Sequence, residues 1–239
     1  PIVVDNSTKK NYNSDDCDAL GWKYINMGGN AGLSKAYNMA VQSIPHDIMD
    51  YFVLLDDDSC VPQKYFDSLE YYIFKTNADI LVPAIKGQDG NFYSPNEIRF
   101  FKNKQIKNEY QMINKKKFNA INSCTCIRST IFDSYFYDEK LFLDQVDHKF
   151  FEDMREKKVH FCQMPIIIEH NFSLKEPKKD YEFLTFRYTI LIKDYLTFVS
   201  SKRIKLLLGK IKVIFWGIKE SIKIKNIKWN SNTLKFNLL

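Results

Sequence analysis

Three adjacent carboxylates, Asp56, Asp57 and Asp58, directly follow the apolar run Tyr51–Leu55. A short apolar run that stops at polar residues predicts a buried strand, and open α/β folds bind their ligands at the carboxyl ends of strands. Neighbouring carboxylates repel each other unless a cation neutralises them. Mg²⁺ and Mn²⁺ prefer such oxygens and often join them to a diphosphate. The segment therefore predicts a metal–diphosphate site, with a solvated acidic turn as the simpler alternative.

The same residues also resemble the nucleophile motif of haloacid-dehalogenase-type phosphatases, in which an apolar strand precedes D-x-D. In that class the first aspartate attacks phosphorus and the second acts as acid or base. The motif stands near the start of the phosphatase domain and has Thr or Val two residues after the second Asp. Here that position is Cys60, and predicted sheet precedes the motif. This alternative is the weaker of the two.

Three glycines precede a predicted helix over residues 33–42: Gly28, Gly29 and Gly32. Such a loop leaves backbone N–H groups to face an anion at a helix N-terminus. Lys35, on the first helical turn, is placed to reach a phosphate. The spacing is neither the dinucleotide-binding fingerprint nor a Walker motif, so a simple tight turn stays open as the alternative.

The elements that would position these residues alternate between apolar segments and helical patterns. We predict strands over residues 1–4, 22–25, 51–55, 80–83, 120–127, 159–162 and 166–169. We predict helices over residues 33–42, 62–76, 128–136 and 142–157, and from residue 180 onward. Residues 86–118 are polar and irregular, with a strand-like piece at 98–101. This alternation predicts an α/β fold with a mainly parallel sheet.

Several ordered segments together resemble the family 2 glycosyltransferases with the GT-A fold, particularly the rhamnosyltransferase-like branch. They are V-V-D-N-S at 3–7, N-A-G-L-S-K-A-Y-N at 30–38 and L-L-D-D-D-S at 54–59. Asn122-Ser123-Cys124 looks like that branch's Ser-Gly segment with Cys in place of Gly. F-L-D-Q-V-D-H at 142–148 resembles its F-I-D-x-V-D segment. His170 stands where the family often has a His after the last core strand.

The resemblance covers about residues 1–172 and implies a GT-A catalytic domain over residues 1–175. We expect a helical, basic region over residues 176–239. Family members usually carry one more strand and a T-x-N-type loop ahead of V-V-D-N, and this chain opens at Pro1. We therefore expect the catalytic domain to be N-terminally incomplete. The alternative is a non-catalytic membrane-surface or carbohydrate-binding module that keeps a glycosyltransferase shell.

The resemblance implies an inverting, metal-dependent sugar transfer from a UDP- or dTDP-sugar to a saccharide or lipid-linked acceptor, in bacterial surface-polysaccharide synthesis. It implies nucleotide-sugar contacts at Asp5, Asn30, Gly32, Lys35, Asp56 and Asp57. It implies Mn²⁺ or Mg²⁺ contacts at Asp58, Asp56 and His170, and acceptor contacts at Asp144, Asn122 and Ser123. Asp147 is implied as the catalytic base. A carboxylate suits that role because the acceptor hydroxyl loses its proton as the C1–O bond forms.

Composition excludes several classes of protein. Of 239 residues, 45% are hydrophobic and 15% aromatic, which excludes a mainly disordered chain. Eight glycines and seven prolines exclude a collagen-like one. Five cysteines, an odd number, fit reduced cytosolic thiols better than a disulfide framework. Cys124 and Cys126 form a C-x-C without a second pair at zinc spacing, which favours structural thiols over a zinc site.

The formal charge of +6 is unevenly distributed. Residues 201–239 hold ten Lys or Arg and one Glu, a charge of +9, so residues 1–200 carry −3. We therefore predict no nucleic-acid partner. Residues 204–216 mix bulky apolar and cationic side chains at helical spacing, which predicts a helix on an anionic membrane surface. A helix packed on the body, with solvated lysines, is the alternative. No apolar run approaches 18 residues, and we predict a cytoplasmic protein, peripheral on the inner face of the plasma membrane.

Overall fold

The computed structural model describes residues 1–9, 13–45, 49–57, 59–99, 102–172, 181–201 and 203–224. The strands are β1 (Ile2–Asp5), β2 (Lys23–Asn26), β3 (Tyr51–Leu54), β4 (Ser59–Cys60), β5 (Ile80–Gly87), β6 (Phe92–Ser94), β7 (Asn96–Glu97), β8 (Lys104–Gln105), β9 (Phe118–Asn119), β10 (Thr125–Arg128) and β11 (Phe161–His170). The helices are α1 (Asn13–Ala19), α2 (Leu33–Gln42), α3 (Gln63–Thr76), α4 (Val146–Glu156), α5 (Tyr181–Val199) and α6 (Arg203–Ile224).

The chain divides into two compact units. Unit 1 comprises the described residues of 1–40, 137–146 and 178–239, and unit 2 those of 41–136 and 147–177. The predicted domain boundary at residue 175 lies outside the described residues, and the division into 1–175 and 176–239 stays a prediction.

Unit 1 begins with the parallel pair β1 and β2, in which Asp5 lies opposite Asn26. The strands predicted at 1–4 and 22–25 are confirmed to within one residue at each end, and α2 has the predicted bounds. Helix α1 was not predicted, because its sequence N-S-D-D-C-D-A has one buried side chain, Cys17, and no apolar period. Helices α5 and α6 also belong to this unit and pack against each other.

Unit 2 contains a six-stranded sheet with the order β3-β10-β5-β11-β4 and with β6 added to β5. Strands β3, β5 and β11 run in the same direction, while β10 lies antiparallel between β3 and β5. The apolar strand β5 is almost completely buried because α3 covers it through Tyr65 and Leu69. A central sheet flanked by helices confirms the predicted α/β class. The sheet is mixed and not mainly parallel as predicted, because β4, β6 and β10 pair antiparallel with their neighbours.

Two predicted strands, at 159–162 and 166–169, are one continuous strand, β11. Pro165 has no N–H to donate, and the register with β5 shifts between Gln163 and Ile167 around it. The proline therefore interrupts the ladder locally without ending the strand, as a β-bulge does.

Three further predictions in unit 2 are corrected. The strand predicted at 120–127 is confined to β10 because residues 122–125 form a turn, in which the Thr125 N–H donates to the Asn122 carbonyl at 2.9 Å. The helix predicted at 128–136 is a short 3₁₀ turn at Ser129–Asp133. The described part of 98–101 contains no strand, and the nearby pairing is that of β7 with β8 and β9.

Candidate functional site

Asp5 is the last residue of β1 and only 6% of it is exposed. Its Oδ1 accepts from the Ser7 N–H at 2.8 Å, and its Oδ2 accepts from the Tyr24 hydroxyl at 2.7 Å and the Asn13 amide at 3.1 Å. The bond to Asp5 raises the pKa of the Tyr24 phenol. Three donors thus hold this carboxylate in one orientation, and its contact with a nucleotide base stays a prediction.

Asn6 links β1 to the glycine loop. Its Oδ1 accepts from the Ala31 N–H at 2.9 Å, and its amide donates to the Gly32 carbonyl at 3.2 Å. Within the loop, Asn30 Oδ1 accepts from the Gly32 N–H at 3.2 Å. Asn6 was not among the site residues predicted from the sequence. The feature of the sequence that pointed to Asn6 was its amide side chain directly after the candidate Asp5.

Backbone donors of the glycine loop are used inside unit 1. The Gly28 N–H donates to Asn26 Oδ1 at 2.7 Å, and the Leu33 N–H donates to the Phe142 carbonyl at 2.6 Å. Together with the two donors just described, four N–H groups of the loop already have acceptors. These four N–H groups are therefore not left to face an anion, and contact of the loop with the donor stays a prediction. Lys35 is exposed, and its contact with the donor stays a prediction.

Polar residues of α2 attach it to the segment 137–142. The Ser34 hydroxyl donates to the Leu141 carbonyl at 2.7 Å, and Asn38 exchanges two bonds with the Tyr137 backbone at 2.8 and 3.0 Å. Both side chains are buried. Ser34 and Asn38 of the N-A-G-L-S-K-A-Y-N segment therefore have a structural role, because buried polar groups need such partners.

Gly32 is the residue of this loop that leaves no room for a side chain. Its φ is +95°, and an added Cβ would lie 2.8 Å from Phe142 Cδ2 and 2.9 Å from the Phe142 carbonyl oxygen. We expect Gly32→Ala to lower the free energy of unfolding by about 2–3 kcal/mol, since strain and overlap act together. Gly28→Ala is the matched control, because φ is +72° there but nothing lies within 4 Å. Urea unfolding measures both, and equal losses would contradict the role of Phe142.

In unit 2, the predicted carboxylate cluster follows the end of β3. Asp56 is half-buried and Asp57 exposed, and Asp58 lies outside the described residues. The Ser59 N–H donates to the Asp56 carbonyl at 3.3 Å, and Ser59 opens β4, where it pairs with His170 of β11. The sheet thus brings His170 opposite a residue three positions after Asp56.

His170 takes part in a chain of hydrogen bonds. Its Nδ1 lies 2.9 Å from Ser59 Oγ, which lies 2.6 Å from Ser123 Oγ. The His170 ring packs on Phe172, with centroids 4.4 Å apart, and the residue is 94% buried, since 6% is exposed. The chain fixes the orientation of the imidazole. Ser59 was not among the site residues predicted from the sequence, although it closes the quoted L-L-D-D-D-S segment.

The donor set near β4 suits a hard divalent cation. Across the described residues, which omit Asp58, no three His, Cys, Asp or Glu side chains form a group that could hold a metal ion. Mg²⁺, however, keeps several waters and uses one or two carboxylates plus substrate phosphates. Asp56 supplies a carboxylate, and the β4–β11 pairing brings an oriented imidazole to the same edge of the sheet. The chemistry of these two side chains therefore suits the predicted metal, whose binding stays a prediction.

Cys124 occupies the position where the resembling branch has Gly. Its φ is +56°, in the left-handed region that glycine adopts without strain. Its N–H donates to the Leu54 carbonyl at 2.7 Å, and its carbonyl accepts from the Tyr65 hydroxyl at 2.6 Å. The turn that carries Asn122 and Ser123 is therefore fixed to the end of β3. Both side chains are buried, and their acceptor contacts stay predictions.

The cysteines of this chain are all described, and none of them forms a disulfide. Cys124, Cys126 and Cys162 belong to the core of unit 2. Burial raises the pKa of the Cys126 thiol to about 12, so this thiol is an inert core group at neutral pH.

Asp147 lies in the first turn of α4. The next apolar residues of the helix, Phe150, Phe151 and Met154, are fully buried, which confirms the expectation that they anchor it in the core. His148 adds a hydrogen bond from Nδ1 to Asn119 Oδ1 at 3.0 Å. The start of α4 is thus held firmly, and the role of Asp147 as a base stays a prediction.

Asp144 forms a two-pronged ion pair with Arg187 of α5. Arg187 Nη2 donates to Asp144 Oδ1 at 2.9 Å, and Nη1 donates to Oδ2. The two side chains are 14% and 15% exposed. Both carboxylate oxygens are engaged by the guanidinium, which makes Asp144 a weaker candidate than Asp147 for accepting a proton.

A second residue of α5, Asp194, accepts three backbone N–H groups from the segment 142–144. The donors are Phe142 at 3.0 Å, Leu143 at 2.7 Å and Asp144 at 2.8 Å. These bonds, and the φ of +62° at Gln145, explain why α4 begins at Val146 and not at the predicted residue 142. Arg187 and Asp194 were missed. The feature of the sequence that pointed to them was a pair of charged residues seven positions apart, on one face of an otherwise apolar helix.

Comparison with known proteins decides the family. The family model for glycosyl transferase family 2 matches residues 2–136, more than half of the chain. The chain belongs to glycosyl transferase family 2. It is also similar to dTDP-rhamnosyl transferase RfbF of Shigella flexneri, with 26% identity over 151 residues. The aligned region covers 61% of this chain and 50% of that protein. The chain thus spans about half the length of the curated relative it matches.

Solved structures show the same fold. S. aureus TarS 1-349 in complex with UDP gives a TM-score of 0.50 at 11% identity, over 89% of this chain and 60% of that chain. GalNAc-T7 with UDP, GalNAc and Mn²⁺ gives a TM-score of 0.55 at 13% identity, over 83% of this chain and 43% of that chain. The predicted GT-A fold of this family 2 glycosyltransferase is confirmed. The phosphatase alternative for the Asp56 segment is wrong, because that segment lies within the family 2 match.

Proposed function

We propose that this family 2 protein transfers a sugar from a nucleotide-diphosphate donor to a saccharide or lipid-linked acceptor. The observation that carries the proposal is the pairing of β4 with β11 in unit 2. This pairing places His170 opposite Ser59, three residues after Asp56. The Asp56 segment itself lies within the family 2 match. A nucleoside diphosphate and a divalent cation are the ligands that match these groups.

A dTDP- or UDP-sugar is the donor class we propose. The relative is named a dTDP-rhamnosyl transferase, and two similar structures contain UDP. In unit 1, Asp5 would accept a hydrogen bond from the base, and Asn30, Gly32 and Lys35 would contact the rest of the donor. The buried, oriented Asp5 carboxylate supports this assignment, because a fixed acceptor can select a base by its N–H group.

In unit 2, Asp56, Asp58 and His170 would hold Mn²⁺ or Mg²⁺, and Asp57 would contact the donor. His170 would bind through Nε2, since its Nδ1 is hydrogen-bonded to Ser59, and such outer partners commonly orient metal-binding histidines. When bound, the cation offsets the negative charge that develops on the leaving diphosphate. Ser59 would be a positioning residue in this arrangement.

Asp147 is the group we assign to proton removal. It would accept the proton of the acceptor hydroxyl as that oxygen attacks the anomeric carbon from the side opposite the diphosphate, which inverts the configuration. The buried ring pair Phe150 and Phe151 supports the role, because a base must be held in place. Asp144, Asn122 and Ser123 would contact the acceptor.

We further propose that the reaction belongs to bacterial surface-polysaccharide synthesis and that residues 201–239 bring the protein to an anionic membrane surface. A bacterial rhamnosyl transferase as relative supports the first point, and the charge of +9 in this segment supports the second. A lipid-linked acceptor would be presented at that surface.

Donor turnover tests the function against the module alternative. The chain is incubated with Mn²⁺ and a UDP- or dTDP-sugar, with and without saccharide acceptors, and the released nucleoside diphosphate is measured. We expect release that requires the metal and stops with EDTA. A chain that binds the donor but releases no nucleoside diphosphate, across all acceptors including lipid-linked ones, would identify the non-catalytic module instead.

A further inference from the structure

Helix α6 packs on α5 through one face. Val213 is fully buried, and a Cβ on Gly209 would lie 2.7 Å from Val199 Cγ2, so the two helices are in close contact there. The rings of Trp216 and Tyr195 have centroids 4.9 Å apart. This face is therefore an interior face of unit 1.

The opposite face of α6 is apolar and exposed. Its side chains are Ile204, Leu207, Leu208, Ile211, Ile214, Phe215 and Ile218. They recur at intervals of three and four residues, which at 3.6 residues per turn forms a stripe about 120° wide. Ile204 is 75% exposed and Phe215 67%. A continuous exposed stripe of large apolar side chains marks an interaction surface.

Basic residues border this stripe on both sides. By the same helical geometry, Lys205 and Lys219 lie along one edge, and Arg203 and Lys210 along the other. Residues 203–219 contain no acidic residue. Lys212 points elsewhere, because its Nζ lies 5.0 Å from the centroid of the Tyr195 ring, and burial lowers its pKa.

We propose that the stripe and its four bordering basic residues, the α6 membrane face, lie in the interface of an anionic bilayer. This inference rests on the proposed membrane role of residues 201–239 and deepens it by naming the face of α6 that would contact the lipid. Apolar side chains bordered by lysines match such an interface, because acyl chains receive the stripe and anionic headgroups the ammonium groups. No helix among the described residues has the length and apolarity needed to cross a membrane.

Charge distinguishes the bilayer from a second copy of the chain. Two stripes paired symmetrically would bring the basic borders of one helix against those of the other, and no acidic residue between 203 and 219 would offset the repulsion. An anionic surface offsets the same charges. The observations therefore favour the membrane over self-association.

The test measures binding of the 239-residue chain to vesicles, with Phe215→Gln as the main variant. We expect binding to phosphatidylglycerol-containing vesicles, weaker binding to phosphatidylcholine alone, and loss of affinity as salt rises. Phe215→Gln should reduce the affinity about ten-fold or more, since one buried ring is lost from the interface. Phe74→Gln is the matched control, because Phe74 is 82% exposed on α3 in unit 2, and it should bind like the unsubstituted chain.

A second pair of variants tests the electrostatic part. Lys205→Glu should weaken binding to the anionic vesicles about five-fold or more, while Lys64→Glu, the same change on exposed α3, should have a smaller effect. Thermal unfolding should be unchanged in all four variants, because the substituted side chains are exposed. Point variants are sharper than removal of residues 201–239, which would also remove the Gly209 and Trp216 contacts with α5.

Three outcomes would overturn the proposal: no binding of the unsubstituted chain to anionic vesicles, equal loss in Phe215→Gln and Phe74→Gln, or a dimer in solution that Phe215→Gln dissociates without any vesicle binding. The vesicle assay contains no nucleotide, and nucleotide binding is measured without vesicles. Failure of the membrane proposal and failure of the proposed sugar transfer are therefore distinguishable.

Discussion

Asp147→Asn is expected to reduce donor turnover in the presence of acceptor about 10²–10⁴-fold while leaving donor binding nearly unchanged. Asparagine keeps the size and much of the hydrogen bonding of aspartate but cannot accept the proton of the acceptor hydroxyl. The buried contacts of Phe150, Phe151 and Met154 should keep α4 in place in the variant. Steady-state kinetics with Mn²⁺ and the donor measure the change in kcat.

Asp144→Asn is the competing substitution. Asp144 is paired with Arg187 through both oxygens, so its replacement should affect stability and acceptor KM more than kcat. Thermal unfolding of both variants separates a loss of fold from a loss of chemistry. Near-normal turnover in Asp147→Asn beside an inactive Asp144→Asn would show that the base is Asp144.

Asp194→Ala is expected to lower the free energy of unfolding by about 3–5 kcal/mol. The side chain is fully buried and accepts three N–H groups from residues 142–144. Hydrogen bonds to a charged acceptor contribute about 1.5–3 kcal/mol each, and buried donors left without acceptors add a cost. Urea unfolding of the variant measures the loss.

Two controls accompany this variant. Asp194→Asn keeps one oxygen acceptor and should lose less stability than Asp194→Ala. Lys193→Ala, at the exposed neighbouring position of α5, should change stability by about 0.5 kcal/mol or less. If Asp194→Ala loses less than about 1 kcal/mol, the three bonds do not hold the segment as inferred.

Local pattern was sufficient for the elements that carry the quoted motifs. The apolar run before Asp56 and the helix over 33–42 could be predicted because a buried strand and an amphipathic helix leave distinct periods in the sequence. The anchoring of α4 through Phe150 and Met154 could be predicted for the same reason. Strand β11 could not, because Pro165 is a breaker by local rules and only pairing with β5 carries the strand past it.

The contacts that organise the candidate site are long-range, and sequence spacing does not encode them. Ser59 meets Ser123 and His170, which lie 64 and 111 residues further along the chain. Arg187 and Asp194 reach the segment 142–144 from a helix without any motif. In the glycine loop, four N–H groups have acceptors that the glycine pattern alone did not reveal.

Titration calorimetry of the chain with UDP and dTDP, each with and without Mn²⁺, tests the proposed metal-dependent nucleotide-diphosphate site most directly. We expect at least one of the two nucleotides to bind only when Mn²⁺ is present, and Asp58→Ala to abolish that binding without changing thermal unfolding. Asp67→Ala, an exposed carboxylate of α3, should bind normally. Nucleotide affinity that is the same without metal, or that survives unchanged in Asp58→Ala, would contradict the account.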